Sequence, residues 1–131
     1  MKKNLSLLII LLFVVTSGGF AQSHSTNYKV VPVKKVDKII GKKNMIVIDV
    51  RTPEEVAEGT VPGSLNYNFN ATDFKQHLTA LDKTKPYLVY CRSGKRSGKT
   101  VEMMRAMGFR RIYELKAGFP AYDAYKQKKK Q

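Results

Sequence analysis

Short apolar runs alternate along this chain with segments whose apolar residues follow helical spacing. Residues 45–50 (MIVIDV) and 87–90 (YLVY) are almost continuously apolar, which is typical of strands buried on both faces of a sheet. Weaker runs predict three further strands, at 28–33, 65–69 and 112–115. Pro32 favours a position near the sheet edge for the first of these.

The segments between the strands predict five helices. Their approximate bounds are 34–40, 53–58, 70–81, 97–107 and 120–126. Thr52 and Pro53 form an N-cap followed by the residue best suited to the first helical position. Because strands alternate with helices, the sequence predicts an α/β domain with a mostly parallel central sheet and helices on both faces.

Two candidate functional residues follow directly from this architecture. In parallel α/β sheets, functional sites lie at the carboxyl ends of the strands. Asp49 and Cys91 each fall at or next to the end of a predicted buried strand. We therefore expect these two strand ends to meet on one side of the domain.

The beginning of the chain has the pattern of a secretory signal peptide at 1–21. Two lysines precede the apolar stretch 5–15, and small residues occupy the two positions that a signal peptidase reads, Gly19 and Ala21. The apolar stretch is short for a membrane span, although an uncleaved N-terminal anchor is the alternative. We expect an exported, periplasmic bacterial protein without a stable membrane anchor after cleavage. The predicted parts are the signal peptide at 1–21, a loose leader at 22–27, one domain at 28–125 and a basic tail at 126–131.

Charge and cysteine content narrow the possible partners. Loss of Lys2 and Lys3 with the signal peptide would lower the formal net charge from +14 to +12, which favours anionic partners. We expect no nucleic-acid partner outside the cytoplasm and interpret the lysine-rich tail as a frayed helix end. The chain has one cysteine, which cannot form a disulfide within the chain. A lone cysteine is most often a buried, inert hydrophobic residue.

The segment 87–100 (YLVYCRSGKRSGKT) places that cysteine before a glycine-rich basic loop. Its last eight residues resemble a nucleotide-binding P-loop, but Ser93 stands where the first glycine is required. The strand that ends in Asp49 also precedes the loop, whereas nucleotide-binding folds normally place the magnesium-binding strand after it. An ATP site is therefore disfavoured.

The loop is better suited to a reactive sulfur. Backbone N–H groups of residues 92–97 can form an anion nest, which Gly94 makes easier, and a predicted helix begins near Ser97. Three cations add to the positive field: Arg92, Lys95 and Arg96. Such surroundings lower a cysteine pKa from about 8.5 to roughly 3.5–7.5. We expect Cys91 to be a thiolate at neutral pH.

Three stretches resemble the rhodaneses, sulfurtransferases that carry sulfur as a cysteine persulfide. Residues 91–97 (CRSGKRS) resemble the family's active-site loop, and 49–63 (DVRTPEEVAEGTVPG) resembles its D-x-R-x-x-x-E and G-H-[IV]-P-G-A pattern. Residues 117–122 lie where the family has Gly-Gly-x-x-x-Trp. The resemblance covers about 28–125 and implies a single-domain rhodanese, which the signal-peptide pattern makes an exported form. Four positions depart from the pattern: Thr60 for histidine, Ser64 for alanine, Ala117 for glycine and Tyr122 for tryptophan.

The resemblance also implies a role for each residue. Cys91 would be the nucleophile and persulfide carrier. The substrate-binding set would be Arg92, Ser93, Gly94, Lys95 and Arg96, with Arg96 ordering the loop or meeting the donor. Structural support would come from Asp49, Arg51, Glu55 and Ser97, the first three as a hydrogen-bonded ion network. We expect no cofactor, and no metal because no cluster has metal-ligand spacing. His24 and His77 are interpreted as solvated.

The implied reaction is a double displacement. Cys91 would take the outer sulfur of a small anionic donor such as thiosulfate and pass it to cyanide, a thiol or a protein. One alternative is a non-turnover persulfide relay or a protein-binding module. Another is a cysteine phosphatase or arsenate reductase, whose signature has five residues between cysteine and arginine, whereas four separate Cys91 from Arg96.

Overall fold

Five parallel strands form one sheet in the computed structural model, which describes residues 25–131. The strands are β1 (Asn27–Val30), β2 (Ile46–Asp49), β3 (Ser64–Asn66), β4 (Pro86–Tyr90) and β5 (Arg111–Leu115). Their order across the sheet is β1-β5-β4-β2-β3, and every pairing is parallel. The predicted α/β architecture is confirmed, and β1 lies at a sheet edge. The predicted signal peptide and His24 lie outside the described residues.

Helices cover both faces of this sheet. They are α1 (Val36–Ile40), α2 (Pro53–Ala57), α3 (Phe74–Thr79), α4 (Lys95–Ala106) and α5 (Gly118–Lys128), with a 3-10 turn at Val33–Lys35. Within residues 25–131, no helix is both long enough and apolar enough to cross a bilayer.

The strand β4 supplies the centre of the core to both faces. Tyr87 and Val89 pack in one cluster with residues of α3 and α4, while Leu88 and Tyr90 pack in the other with residues of α1 and α5. All five β4 residues are buried, and alternate side chains of a strand point to opposite faces. The continuous apolar run in the sequence is explained by this double burial.

Several element ends differ from the sequence prediction. The helix predicted over 70–81 is confined to α3, because Asn68 and Ala71 organise tight turns before it: the Asn68 side chain accepts from Asn70 N–H, and Ala71 C=O accepts from Phe74 N–H. The leader predicted to be loose through residue 27 is fixed at its end. There Thr26 donates to Phe109 C=O at 2.8 Å, and Asn27 begins β1.

Two further differences concern α4 and α5. The helix α4 begins at Lys95, two residues earlier than predicted, because Gly94 adopts φ +87° and turns the chain directly into the helix. The helix α5 extends through Lys128 into the segment predicted to be a frayed tail. Its Lys126 forms an ion pair of 2.8 Å with Asp37 of α1, which holds this part of the helix against the domain.

A buried ion pair fixes the carboxyl end of β2. Asp49 is fully buried and Arg51 is 2% exposed, and the Arg51 Nη2 to Asp49 Oδ2 distance is 2.6 Å. Tyr90 of β4 donates to the same carboxylate at 2.7 Å. The Arg51 guanidinium also donates to the backbone oxygens of Glu55 and Gly59, at 3.1 and 2.7 Å. The pair therefore joins two strands to the segment that contains α2.

Removal of Arg51 should destabilise the domain strongly. In Arg51→Ala, the buried Asp49 side chain loses its ionic partner, so we expect the free energy of unfolding to fall by about 3–5 kcal/mol. Urea denaturation measures this change. The exposed Lys75→Ala of α3 is the control and should change it by no more than about 0.5 kcal/mol. A loss in Arg51→Ala as small as that of the control would contradict this role.

Candidate active site

Backbone N–H groups at the start of α4 point at the sulfur of Cys91. This residue directly follows β4, and its Sγ accepts from Gly94 N–H at 3.1 Å and from Ser97 N–H at 3.4 Å. Gly94 is the N-cap of α4 and Ser97 lies in the first turn. Free N–H groups and the helix dipole make such a terminus favourable for a negative charge. The arrangement is therefore suited to hold a thiolate.

Opposing effects act on the pKa of Cys91. Burial raises the pKa of the thiol, while the hydrogen bond between the sulfur and the Ser97 hydroxyl, and hydrogen bonds from the N–H groups of Ser97, Ser93 and Gly94, lower it. The result is a pKa below the ordinary value of the group. The groups that lower the pKa are thus hydrogen-bonding groups of the loop, while the side chains of Arg92 and Lys95 are exposed.

The sulfur is also covered from solvent. Cys91 has no exposed surface, which is a feature of the ordinary inert cysteine. Its surroundings nevertheless differ from an apolar core, because N–H and O–H groups contact the sulfur. Cys91 is thus buried but lies among polar hydrogen-bonding groups.

Arg96 is held by Glu55 in an ion pair with two hydrogen bonds. The Nη1–Oε2 and Nη2–Oε1 distances are 2.7 and 2.8 Å. The hydrogen bond from Arg96 is the main reason that the pKa of Glu55 falls to about 2, against the opposing effect of burial. Glu55 also completes a capping box with Thr52 at the start of α2. The pair therefore joins α2 to the first turn of α4.

This pairing corrects the predicted ion network. The sequence grouped the side chains of Asp49, Arg51 and Glu55, but the Glu55 carboxylate pairs with Arg96, and Arg51 reaches only the Glu55 backbone oxygen. The physical reason is that Asp49 and two backbone carbonyls already occupy the Arg51 guanidinium. Two linked ion pairs replace the single predicted set.

Two glycines allow the β5–α5 connection to cross the cysteine loop. Gly118 has φ +81°, and a Cβ there would lie 1.8 Å from the Arg92 carbonyl oxygen. Gly94 faces the same crossing from the other side, where a Cβ would lie 2.5 Å from the Lys116 carbonyl oxygen. The next residue, Phe119, donates its N–H to the Cys91 carbonyl at 2.9 Å. The loop is therefore packed against backbone on this side.

The structure explains three of the four departures from the rhodanese pattern. Ala117 has φ −64°, which any residue adopts, so glycine is needed only at the following position. Ser64 bonds the Tyr90 hydroxyl at 2.9 Å and donates to the Val61 carbonyl at 2.5 Å. Tyr122 is buried and donates to Asp37 at 2.8 Å. Thr60 is exposed, and nothing in the structure explains this substitution.

Sequence reasoning missed a buried carboxylate beside the cysteine loop. Glu114 of β5 is 1% exposed, and its Oε1 accepts from the Ser97 hydroxyl at 2.7 Å. Its Oε2 accepts from the Tyr28 hydroxyl at 2.5 Å, and burial, followed by this hydrogen bond, raises the pKa of Tyr28 to about 12. The available signal was a charged residue inside an apolar strand run (RIYEL).

The remaining candidates lie apart from the cysteine. His77 is half-exposed on α3, where it pairs with Asp73 at 3.0 Å and stacks on Tyr67. Among residues 25–131, no group of three or more histidine, cysteine or acidic side chains is placed to hold a metal ion.

Comparison with known proteins identifies similar sequences and folds. A model of the rhodanese-like domain matches residues 32–125. The tRNA uridine(34) hydroxylase of Pelagibacter ubique is 34% identical over 110 residues, which are 83% of this chain but only 36% of that protein. The putative sulfurtransferase YtwF of Bacillus subtilis is 33% identical over 87 residues, 66% of this chain and 82% of the relative. The crystal structure of a rhodanese-related protein from Thermoplasma volcanium has a TM-score of 0.65 at 26% identity, covering 75% of this chain and 93% of that one.

Replacement of Gly118 should disrupt the packing of the loop. Gly118→Ala combines a left-handed φ with a collision against the Arg92 carbonyl. Gly108→Ala is a matched control, because Gly108 has φ +85° but a methyl group at that position would meet nothing within 4 Å. We expect both variants to be destabilised by the conformational cost of about 1–2 kcal/mol. Gly118→Ala should lose about 1–3 kcal/mol more from overpacking in thermal or urea unfolding. Equal losses in the two variants would contradict the crossing described here.

The Glu55–Arg96 pair should make stability depend on acid pH. The pKa of Glu55 is about 2 in the folded protein against 4.5 ordinarily, so its contribution is complete above pH 4.5 and is lost as pH falls toward 2. Glu55→Gln should remove this part of the dependence. The measurement is the free energy of unfolding of both proteins across this pH range, with the exposed Glu54→Gln as control. Parallel curves for wild type and Glu55→Gln would show that the pair contributes nothing.

Proposed function

The chain belongs to the rhodanese-like domain family, and on that premise we propose that it is a sulfurtransferase in which Cys91 carries sulfur as a persulfide. The donor is a small anion of the thiosulfate type, and the acceptor is a thiophilic group such as cyanide, a thiol or a protein cysteine. The observation that carries this proposal is the pair of N–H groups, from Gly94 and Ser97, directed at Sγ from the start of α4.

The first half-reaction places the donor's outer sulfur on Cys91. The thiolate attacks that sulfur, a new S–S bond forms, and the old S–S bond of thiosulfate breaks with its electron pair leaving on sulfite. The lowered pKa of Cys91 supports this step because the thiolate is the nucleophile. No separate general base has to touch the donor.

The second half-reaction passes the outer sulfur to the acceptor. A nucleophilic acceptor attacks that sulfur, and Cys91 leaves as a thiolate. The N–H groups that contact Sγ favour the departing thiolate as they favour the attacking one, because charge-assisted hydrogen bonds are stronger than neutral ones. The same donors therefore serve both halves of the cycle.

Access to the sulfur requires the loop to move. Because Cys91 has no exposed surface, we propose that the segment between β4 and α4 is displaced when a donor contacts Sγ. Three residues of this region are exposed, Arg92, Ser93 and Lys95, and two of them are cations. We propose that these two cations attract the anionic donor to the loop, while Arg96 remains paired with Glu55.

We further propose that this chemistry takes place outside the cytoplasm. The support is the signal-peptide pattern of residues 1–21. The activity of the Pelagibacter relative is not assigned to this chain, since the match covers 36% of that protein.

Treatment with thiosulfate should add one sulfur atom to Cys91. Intact mass spectrometry of the purified protein should show a gain of about 32 Da that cyanide removes. Since the chain has a single cysteine, Cys91→Ser should show no gain. The mass before treatment also reports whether residues 1–21 have been removed.

Matched variants separate sulfur transfer from donor attraction. Arg92→Ala and Lys95→Ala should slow sulfur loading at low salt more than at high salt, because exposed charges act over a screened range. The exposed Lys83→Ala, on the α3–β4 connection, is the control.

Absence of a mass gain from thiosulfate in folded wild-type protein would contradict the proposed donor.

A further inference from the structure

A single hydroxyl group connects Cys91 to the buried carboxylate of Glu114. The Cys91 thiol donates to Ser97 Oγ at 3.5 Å, and the Ser97 hydroxyl donates to Glu114 Oε1 at 2.7 Å. Cys91 and Ser97 have no exposed surface, and Glu114 is 1% exposed. The three groups therefore form a continuous hydrogen-bonded chain inside the protein.

We propose that Ser97 and Glu114 form a proton relay that takes the thiol proton of Cys91 and returns it. In this relay Ser97 touches the reacting sulfur, and Glu114 is a positioning residue that acts through Ser97. The inference rests on the proposed sulfur transfer, because it supplies the thiolate that the first half-reaction consumes.

The transfer needs no movement of heavy atoms. The S–H bond breaks as Ser97 Oγ accepts that proton, and the original Ser97 proton passes to Glu114 Oε1. The products are a thiolate and a neutral carboxylic acid. Each hydrogen bond then runs in the reverse direction, so that Glu114 donates to Ser97 and Ser97 donates to the sulfur.

A relay is needed because the thiol is buried. Solvent does not contact the thiol in the closed loop, so water cannot take its proton there. Two full negative charges at Cys91 and Glu114 would repel each other in a region of low dielectric. The relay avoids this state because the site carries one negative charge before and after the transfer.

The surrounding charged and titratable groups are compatible with such a shared charge. Tyr28 of β1 donates to the second carboxylate oxygen, and Arg105 of α4 lies over the Tyr28 ring at 5.9 Å. On the cysteine side, Arg96 interacts electrostatically with Cys91 and forms an ion pair with Glu55. Lys116 follows β5, with its backbone against Gly94.

The test is the thiolate titration of the full protein. Ultraviolet absorbance of the thiolate is measured against pH as the difference from Cys91→Ser, which cancels the tyrosines. If the two groups share a proton, the thiolate absorbance of the wild type should increase in two steps, which are separated by more than about one pH unit. Glu114→Gln should show a single rise. A single rise in the wild type would overturn the relay, whereas sulfur loading from thiosulfate would still stand on its own.

Variants of Ser97 keep the test decisive if Glu114→Gln fails to fold. Ser97→Ala removes the connecting hydroxyl and should greatly reduce the first rise. Ser97→Thr retains a hydroxyl and should preserve it. A first rise that is unchanged in Ser97→Ala would overturn the relay. Tyr28→Phe, which removes the other hydrogen bond to Glu114, should shift the pH of the rises while keeping both.

Discussion

The hydrogen bonds from the first turn of α4 to Cys91 Sγ are the interaction on which the rest of the site depends. A thiolate in a buried position is unfavourable unless donors replace the lost water. Gly94 and Ser97 supply such donors only if the chain turns directly from β4 into α4. That turn requires the positive φ of Gly94. The buried β4 and the following helix thus bring the cysteine and its donors together.

The neighbouring elements hold this turn in place from two sides. On one side, Glu55 fixes Arg96 to α2, and α2 is joined through Arg51 to the end of β2. On the other side, the backbone around Gly118 packs against the loop. Ion pairs and close backbone packing therefore hold the loop that covers the sulfur.

Carboxylates near the site have different physical roles. Asp49 is buried with a dedicated arginine, so its charge is matched within the core. Glu55 lies nearer the surface, where Arg96 and the capping box hold its pKa low. Glu114 differs from both, because the hydrogen bonds to its side chain come from two hydroxyl groups. Through one of these hydroxyl groups, that of Ser97, Glu114 is connected to Cys91.

Much of the architecture could be predicted from local sequence. The apolar runs around Val47 and Leu88 located the central strands, and Thr52 with Pro53 located the start of α2. The cysteine loop was also visible, because glycine and cations follow an apolar strand. Tertiary contacts could not be predicted in this way. The partner of Glu55 and the packing around Gly118 depend on elements that are distant in sequence. Glu114 was missed because hydrophobic periodicity and strand propensity identify a strand, but they do not show which polar groups its buried side chains contact.

A pH titration of the backbone amide resonances of Gly94 and Ser97 by NMR tests whether these N–H groups hold the charge of Cys91. If their N–H groups hold the charge of Cys91, both resonances should move together with ionisation of the thiol, beginning below its ordinary pKa, and remain still in Cys91→Ser. Resonances that do not titrate, or that titrate only at or above the ordinary thiol pKa, would show that these N–H groups do not hold the charge of Cys91.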